Sequence, residues 1–334
     1  MTTFSRRQFL TTTATAAGVV AAPHVWIRPA WAQAYPTRPI TIIVAYAAGG
    51  TTDVMARVMA ERMRVTLGQP VVVENITGAG GILGVARAAR AAPDGYTICF
   101  SQNATHVIAG ATYPKLQYDP VRDFTPVALV ATTPFVISAR KAVPADDFKG
   151  LLDWLKAHPG RTFATTGAGS ITHVFALMLE NMTGVRLQYV PYRGTAPAMQ
   201  DLIAGQIDIL MSDPGLAVPQ GRNGSVKVLV VADGKRLPFA PEIPSVEESG
   251  LPGYHLALWH GMWMPKDTPK PILDKLNAAV VDALADPVVQ ARLAELGQEI
   301  YPRDRQTPEA LAALQKAEIE TWYPIIKAAD IRLE

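Results

Sequence analysis

Runs of apolar, β-branched residues alternate with segments of helical periodicity through most of the chain. Residues 40–45 form an apolar run suited to a strand, and residues 53–63 place apolar side chains at helical spacing. The alternation continues with a short strand over 71–74, an alanine-rich helix over 82–91 and a strand over 96–100. This order predicts an α/β fold with a mostly parallel sheet.

The second half of the chain repeats the scheme and ends in helices. Glycine or proline lies at the ends of most of these runs, as is typical of helix boundaries. The predicted strands are 163–166, 187–191, 207–211 and 226–231, and the predicted helices are 171–182, 195–205, 271–284 and 308–329.

Three glycine-rich junctions each connect a predicted strand to a predicted helix, at residues 48–53, 78–81 and 166–170. The first turn of a helix has unpaired N–H groups and the positive end of the helix dipole, and glycine lets a ligand approach the backbone. The favoured ligand is therefore an anion. The alternative is that these glycines only make tight turns. None of the junctions matches a dinucleotide or P-loop fingerprint.

The N-terminal segment 1–32 has the features of an export signal. Arg6 and Arg7 precede an uncharged stretch over 11–22, and Ala30 and Ala32 form an A-x-A-like cleavage site. The arginine pair favours twin-arginine export, with an ordinary secretory signal as the alternative. A membrane anchor is disfavoured because the apolar run is well short of the ~20 residues that cross a bilayer. We expect cleavage near Ala32 and a periplasmic mature protein.

The charge balance disfavours two classes of partner. The full chain has 31 basic and 29 acidic residues. Arg6, Arg7 and Arg28 leave with the expected signal peptide and no acid does, so the mature chain has a net charge of −1. A neutral chain without basic runs has no electrostatic footprint for nucleic acid or anionic membrane. Its length of about 300 residues favours two lobes over one core.

Neither a disulfide nor a metal site is expected. Cys99 is the only cysteine, and its apolar surroundings indicate a buried packing residue rather than a reactive thiol. His255 and His260 lie five residues apart on a strand-like run, so they point to opposite faces. No Cys or acid spacing adds metal ligands to them.

Short motifs are spread along the mature chain, and their combined order and spacing are specific enough to indicate a protein family. They are 35–40 (YPTRPI), 48–50 (AGG) with Asp53 and 56–57 (AR), 67–75 (LGQPVVVEN), 78–81 (GAGG), 93–97 (PDGYT), 167–170 (GAGS) with His173, 190–194 (VPYRG) with 201–202 and Gly205, and 259–261 (WHG). In their order and spacing, the chain resembles the periplasmic solute-binding proteins of tripartite tricarboxylate transporters, also called Bug receptors.

The resemblance implies a clamshell of the type II periplasmic-binding-protein class, with two α/β lobes joined by a two-stranded hinge. The implied first lobe comprises residues 35–133 and 259–334, and the second comprises 134–258. The hinge would lie near 130–137 and again near 255–265. The resemblance further implies a monomer that captures a small organic carboxylate, delivers it to membrane permease subunits, and has no cofactor and no catalytic residues.

The resemblance also places the ligand between the first glycine loop and the Gly-x-Gly-Ser loop, which in the family hold a carboxylate through backbone amides, hydroxyls and ordered water. Carried over by position, the candidate ligand-binding residues of the first lobe are Tyr46, Ala48, Gly49, Gly50, Thr51, Thr52, Asp53, Gln102 and Asn103. Those of the second lobe are Thr166, Gly167, Gly169, Ser170, His173, Tyr192, Gly194 and Thr195. Ser212 and Asp213 are further candidates, because they lie at the end of a predicted strand that would face the cleft.

Some of these candidates have open roles. Asp53 either only satisfies the start of its helix or also orders a water in the cleft. His173 either lines the cleft or contacts a buried partner. The chain departs from the family pattern at Ala45, at residues 76–77 and at Ser212, so the identity of the ligand stays open. We expect Ser212 and Asp213 to contact the far end of the ligand.

Two other functions compete with transport. A hydrolase would use Ser170 with His173 and an acid such as Asp208, but the chain has no G-x-S-x-G elbow. Ser170 at a helix start also caps amides more naturally than it attacks a substrate. A receptor that presents its ligand to a sensor, without a dedicated permease, is the second alternative.

Overall fold

A computed structural model describes residues 35–167, 170–192 and 194–328. The expected signal peptide 1–32, its cleavage point and Gly169 lie outside the described residues. The strands are β1 (Ile40–Val44), β2 (Val71–Asn75), β3 (Thr97–Gln102), β4 (Phe124–Pro134), β5 (Val136–Arg140), β6 (Arg161–Thr165), β7 (Leu187–Pro191), β8 (Ile209–Ser212), β9 (Val226–Val231), β10 (Ala257–Pro265) and β11 (Glu299–Ile300).

The helices pack against the sheets that these strands form. They are α1 (Thr51–Leu67), α2 (Ile82–Ala89), α3 (Ala109–Thr112), α4 (Phe148–Ala157), α5 (Ile171–Thr183), α6 (Thr195–Ile203), α7 (Pro214–Arg222), α8 (Lys270–Ala285), α9 (Pro287–Glu295) and α10 (Pro308–Ala328). A π-helical turn, Ala104–Ile108, precedes α3. Helix α4, which the sequence analysis did not predict, begins where Asp147 accepts a hydrogen bond from the Gly150 N–H at 2.7 Å.

The strands form two sheets, which confirms the α/β fold class. The six-stranded sheet has the order β11-β4-β10-β3-β1-β2 and the five-stranded sheet the order β7-β6-β8-β5-β9. We call each sheet with its packed helices a lobe: lobe 1 has the six strands and lobe 2 the five. The predicted lobe boundaries at 133/134 and 258/259 stay a prediction; β4 extends to Pro134 and β10 begins at Ala257 in the six-stranded sheet.

The expectation of a mostly parallel sheet is wrong, because both sheets are mixed. In lobe 1, β1 runs parallel to β2 and β3, but β10 is antiparallel to β3 and β4. In lobe 2, β6 is parallel to β7 and β8, whereas β5 is antiparallel to β8 and β9. Strands β4, β5 and β10, which run antiparallel to neighbouring strands, lie next to the points where the chain passes from one lobe to the other. These strands are not joined by the right-handed βαβ crossovers that build parallel sheets.

Two chain segments pair where the chain passes from one sheet to the other. Strand β4 ends at Pro134 in lobe 1, and β5 begins at Val136 in lobe 2. Between them, the Phe135 N–H donates to the Leu256 carbonyl at 2.9 Å, and the Ala232 N–H donates to the Phe135 carbonyl at 2.8 Å. We call this paired segment around Phe135 the crossing point.

The buried side chains of lobe 1 include the lone cysteine. Cys99 is fully buried on β3, and burial raises the pKa of its thiol, so the predicted packing role is confirmed. Beside it in the register lies Trp263 of β10, whose ring stacks on His106 with 3.7 Å between the centroids.

Candidate functional site

A cavity of about 680 Å³ lies between the starts of helices from both lobes. In lobe 1 it is lined by Tyr46, Ala47, Gly50, Thr51, Thr52, Ala79, Gly80, Ile82, Gln102, Ala104, Ala109, Thr112 and Tyr113. From the crossing point and lobe 2 it is lined by Phe135, Thr166, Gly167, Ser170, Ile171, Thr172, Gly194, Thr195 and Asp213, and Leu258 of β10 completes the lining from lobe 1. Eleven of the predicted ligand-binding residues are therefore brought together: Tyr46, Gly50, Thr51, Thr52, Gln102, Thr166, Gly167, Ser170, Gly194, Thr195 and Asp213.

The first glycine loop and the start of α1 line this cavity. Gly50 lies in an extended conformation before α1, and its carbonyl accepts the first hydrogen bond of the helix from the Val54 N–H at 3.0 Å. The N–H groups of Thr51 and Thr52 precede that bond in the helix, and both residues line the cavity. The helix start therefore offers donors and the positive end of the dipole to an anion.

Asp53 supports this loop from behind the cavity. Its buried carboxylate accepts hydrogen bonds from the Gly49 N–H at 2.8 Å, from Arg57 Nε at 3.0 Å and from Asn75 Nδ2 at 2.8 Å. Burial alone would raise the pKa of Asp53, but the hydrogen bonds from Arg57, Gly49 and Asn75 outweigh it and hold the pKa below its ordinary value. Asp53 does not line the cavity, so its charge orders the loop rather than facing a ligand.

Thr52 and Gln102 form a polar cluster with a buried histidine of β10. Gln102 Nε2 donates to Thr52 Oγ1 at 2.6 Å, and His260 Nε2 lies 3.1 Å from the same oxygen. Thr52 and Gln102 line the cavity, whereas His260 is fully buried beneath them. The sequence analysis considered His260 as a metal ligand and as part of the 259–261 motif, and did not include it among the ligand-binding candidates.

The second glycine junction also lines the cavity, although the sequence analysis gave it no ligand-binding residue. Ala79 and Gly80 belong to a short 3₁₀ turn before α2, and Gly80 has a φ of 65°, which glycine adopts readily. The Tyr113 hydroxyl lies 3.5 Å from the Ala79 carbonyl. The strand-glycine-helix pattern of residues 78–81 was the signal that could have placed this turn at the site.

The glycine-serine loop of lobe 2 faces the cavity with hydroxyl groups. Ser170 caps α5, where its Oγ accepts a hydrogen bond from the His173 N–H at 3.4 Å. Thr172 Oγ1 accepts from the Thr166 N–H at 2.9 Å and lies 3.1 Å from Ser170 Oγ. Next to this loop, Gly194 precedes α6 with a φ of 136°, which glycine adopts readily, and Gly194 and Thr195 line the cavity.

Asp213 is the only charged side chain among the cavity-lining residues that the structure describes. It precedes α7, and its Oδ1 atom is buried without a hydrogen-bond partner among the described residues. Burial raises the pKa of Asp213 to about 6. The adjacent Ser212 is fully buried and does not line the cavity.

The remaining predicted residues lie near the site but do not line the cavity: Ala48, Gly49, Asp53, Asn103, His173, Tyr192 and Ser212. Asn103 is buried and donates to the Ala257 carbonyl at 3.0 Å. The Tyr192 hydroxyl donates to Asp201 at 2.7 Å. His173 packs edge-on against Tyr189, with 4.6 Å between the ring centroids, and burial lowers its pKa.

The arrangement does not resemble a hydrolase set. Ser170 Oγ contacts the backbone N–H of His173, and the ring of His173 packs against Tyr189. Asp208 accepts a hydrogen bond from Arg140 Nε at 2.7 Å and another from the Thr162 N–H at 3.0 Å.

The described residues contain no group of three or more His, Cys, Asp or Glu side chains that could hold a metal ion. None of the described helices is long and apolar enough to cross a membrane.

Comparisons with known proteins agree on one family. The model of the tripartite tricarboxylate transporter family receptor matches residues 55–331. A UPF0065 protein of Agrobacterium vitis, from the TAR-I ttuE-ttuC' intergenic region, is 39% identical over 305 residues, which cover 91% of this chain and 88% of the relative.

Solved structures of high similarity include two that hold carboxylates. MatC from Rhodopseudomonas palustris, solved with bound malate, is 40% identical with a TM-score of 0.79, and the match covers 87% of this chain and 100% of MatC. Another R. palustris protein, solved with adipate, is 31% identical with a TM-score of 0.81, and the match covers 90% of this chain and 100% of that protein.

Proposed function

The chain belongs to the tripartite tricarboxylate transporter receptor family, and we propose that it captures a small organic carboxylate in the cavity and delivers it to a membrane permease. The single observation that carries this proposal is that helix starts from both lobes open onto one cavity. Each supplies backbone donors and a positive dipole end, the combination that binds anions without a cationic side chain.

The energy of such contacts is sufficient for a transport receptor. Hydrogen bonds to a charged group contribute about 1.5 to 3 kcal/mol each. Three of them, from Thr51, Thr52 and Ser170, total about 4.5 to 9 kcal/mol, a range that includes the ~8 kcal/mol of micromolar binding. The cavity of about 680 Å³ lies within the roughly 300–1,000 Å³ range of small-molecule sites.

Asp213 limits which chemical group of the ligand can lie next to it, at the end of the ligand away from the bound carboxylate. An ionised Asp213 with an unpartnered buried oxygen favours a ligand hydroxyl or ammonium group that donates to it. A second carboxylate would instead require Asp213 to be protonated, so that the two acids share one proton. Malate and adipate, which are bound in two relatives, are suitable ligands with which to test these two alternatives.

We propose that the lobes close on the ligand about the crossing point. A ligand shifts an equilibrium between open and closed states only if it binds the closed state more tightly. Donors from both lobes provide that difference, since a carboxylate contacts the starts of α1 and α5 together only when the lobes approach each other. The paired backbone around Phe135 and Leu256 would absorb the rotation.

The proposal includes no chemical step and places the protein in the periplasm after removal of residues 1–32. Ser170 and Asp208, which a hydrolase would need, are engaged in a helix cap and an ion pair. Delivery to a sensor instead of a permease remains the second candidate, and deletion of a neighbouring permease gene with retained signalling would favour it.

A thermal-shift screen of the mature protein against a carboxylate panel tests the proposal. Ligands that bind only the folded protein raise its melting temperature, so malate, adipate or a related acid should raise it. Mass spectrometry of the same samples after several hours should recover the ligand intact. A panel without any stabilising carboxylate would reject the binding function, and turnover of a ligand would favour an enzyme.

A further inference from the structure

His260 lies directly beneath the polar floor of the cavity without reaching the cavity itself. It is fully buried on β10, where its ring stacks on Phe100 with 5.6 Å between the centroids. Its Nε2 atom lies 3.1 Å from Thr52 Oγ1 and 3.3 Å from Gln102 Nε2. Three polar atoms therefore form a closed triangle, of which Thr52 and Gln102 belong to cavity-lining residues.

The position of the histidine proton follows from the partners of the two ring nitrogens. His260 Nδ1 is buried and has no hydrogen-bond partner among the described residues. A proton on Nδ1 would create an unpartnered buried N–H donor, which folded proteins rarely contain. A proton on Nε2 leaves only a lone pair on Nδ1 and gives the N–H an acceptor, Thr52 Oγ1. In this tautomer Gln102 Nε2 and His260 Nε2 both donate to Thr52 Oγ1, and their own 3.3 Å separation is a contact between two donors and not a hydrogen bond.

The same triangle determines the direction of the Thr52 hydroxyl. A hydroxyl oxygen accepts two hydrogen bonds and donates one. Gln102 Nε2, a donor, occupies one acceptor position of Thr52 Oγ1 at 2.6 Å, and the His260 Nε2–H occupies the other. Neither neighbour can then accept the Thr52 proton.

We infer that His260 is a positioning residue, whose Nε2–H donates to Thr52 Oγ1 and directs the Thr52 hydroxyl proton into the cavity toward a ligand carboxylate oxygen. The inference deepens the proposed function and rests on it for the identity of the ligand group. It assigns Thr52 the role of a fixed donor, and it explains why a polar ring lies in an otherwise apolar part of β10 beside Trp259 and Met262.

The imidazole stays neutral in this role. Burial lowers the pKa of His260 to about 3, so the ring carries one proton throughout the neutral pH range. Its contribution is therefore the orientation of a dipole and not the attraction of a charge.

Three variants distinguish a positioning role of His260 from a role in packing alone. Calorimetry measures the binding of malate and adipate to each variant. His260→Phe keeps a ring of similar shape but removes the donor, and should weaken binding about tenfold, the effect of losing one hydrogen bond to a charged group. His260→Gln places an amide N–H near the Nε2 position and should restore most of the affinity. His106→Phe, which replaces the other fully buried histidine of lobe 1, should leave binding unchanged.

A Thr52→Val background tests the coupling. There, His260→Phe should have no further effect, because the hydroxyl that it orients is absent. Unchanged binding in His260→Phe, or an equal loss in both backgrounds, would overturn the inference.

A spectroscopic readout tests the tautomer independently of any ligand. In protein labelled with ¹⁵N-histidine, the ring nitrogens of His260, assigned with His260→Gln, should show a protonated Nε2 and an unprotonated Nδ1. A protonated Nδ1 would overturn the inference even if carboxylates bind. If the tautomer is as expected but neither acid nor any other carboxylate binds, the proposed function fails while the orientation of Thr52 stands.

Discussion

The carboxylate of Asp53 accepts a hydrogen bond from the backbone N–H of Gly49 at 2.8 Å. Gly49 has a φ of 82° and precedes the cavity-lining Gly50 and Thr51. Asp53 thus fixes the path of the loop whose N–H groups face the cavity, although it does not line the cavity. Asp53 lies behind the loop, and its two roles left open by the sequence stay predictions.

This relationship predicts that Asp53→Asn weakens ligand binding from outside the cavity. An amide has one oxygen where the carboxylate accepts from Gly49, Arg57 and Asn75, so at least one donor loses its acceptor. We expect about a tenfold loss of malate or adipate affinity by calorimetry. Glu61→Gln is the matched control on the same helix, because Glu61 is exposed and pairs with Arg64 away from the glycine loop; an equal loss in both variants would contradict the assignment.

Ser170→Ala should lower both stability and affinity, whereas a comparable helix cap elsewhere should affect stability alone. Ser170 caps α5 at the cavity, and Asp147 caps α4 away from it. Loss of either cap should reduce the free energy of unfolding by about 1 kcal/mol in urea titrations. Only Ser170→Ala should weaken carboxylate binding, and identical affinities for Ser170→Ala and Asp147→Ala would argue against the lobe 2 site.

Asp213→Asn should remove a pH dependence of stability. Burial raises the pKa of Asp213 from its ordinary 3.8 to about 6, so between these values the folded state binds more protons than the unfolded state. The free energy of unfolding of the wild type therefore falls, through this residue, as pH rises across that window. Relative to the wild type, the variant should gain stability from pH 4 to pH 7; a constant difference in melting temperature would contradict this. Asp274→Asn, which removes an exposed carboxylate paired with Lys270, is the control.

The same residue predicts opposite pH trends for different ligands. A ligand that places a second carboxylate against Asp213 should bind more weakly as the pH rises through about 6, because the required proton is lost. A ligand that donates a hydroxyl or ammonium group should bind more tightly over the same range. Calorimetry with adipate and malate in wild type and Asp213→Asn measures the trend, and a slope that survives in the variant would exclude Asp213 as its cause.

The sequence predicted the parts of the molecule that depend on local pattern. Strands β7 (Leu187–Pro191) and β9 (Val226–Val231) match their predicted bounds, since turn residues lie on both sides of each apolar run. The glycine loops at Gly50 and Ser170 were identifiable because a helix start after glycine has a local signature.

Contacts between distant segments could not be predicted in this way. The antiparallel placement of β10 and the contact between Thr52 and His260, 208 residues apart, depend on the crossing of the chain between lobes. Local periodicity also could not distinguish candidates that face the cavity from Asn103 and Tyr192, whose side chains hydrogen-bond Ala257 and Asp201 instead.

The most direct test of the central claim compares each acid with its uncharged amide in calorimetric titrations of the mature wild-type protein. Backbone donors at the starts of α1 and α5 favour a full negative charge, so malate and adipate should bind at least about tenfold more tightly than their diamides, a difference of about 1.4 kcal/mol. The preference should shrink in Thr52→Val combined with Ser170→Ala. Equal binding of acid and diamide by the wild type would contradict a carboxylate receptor.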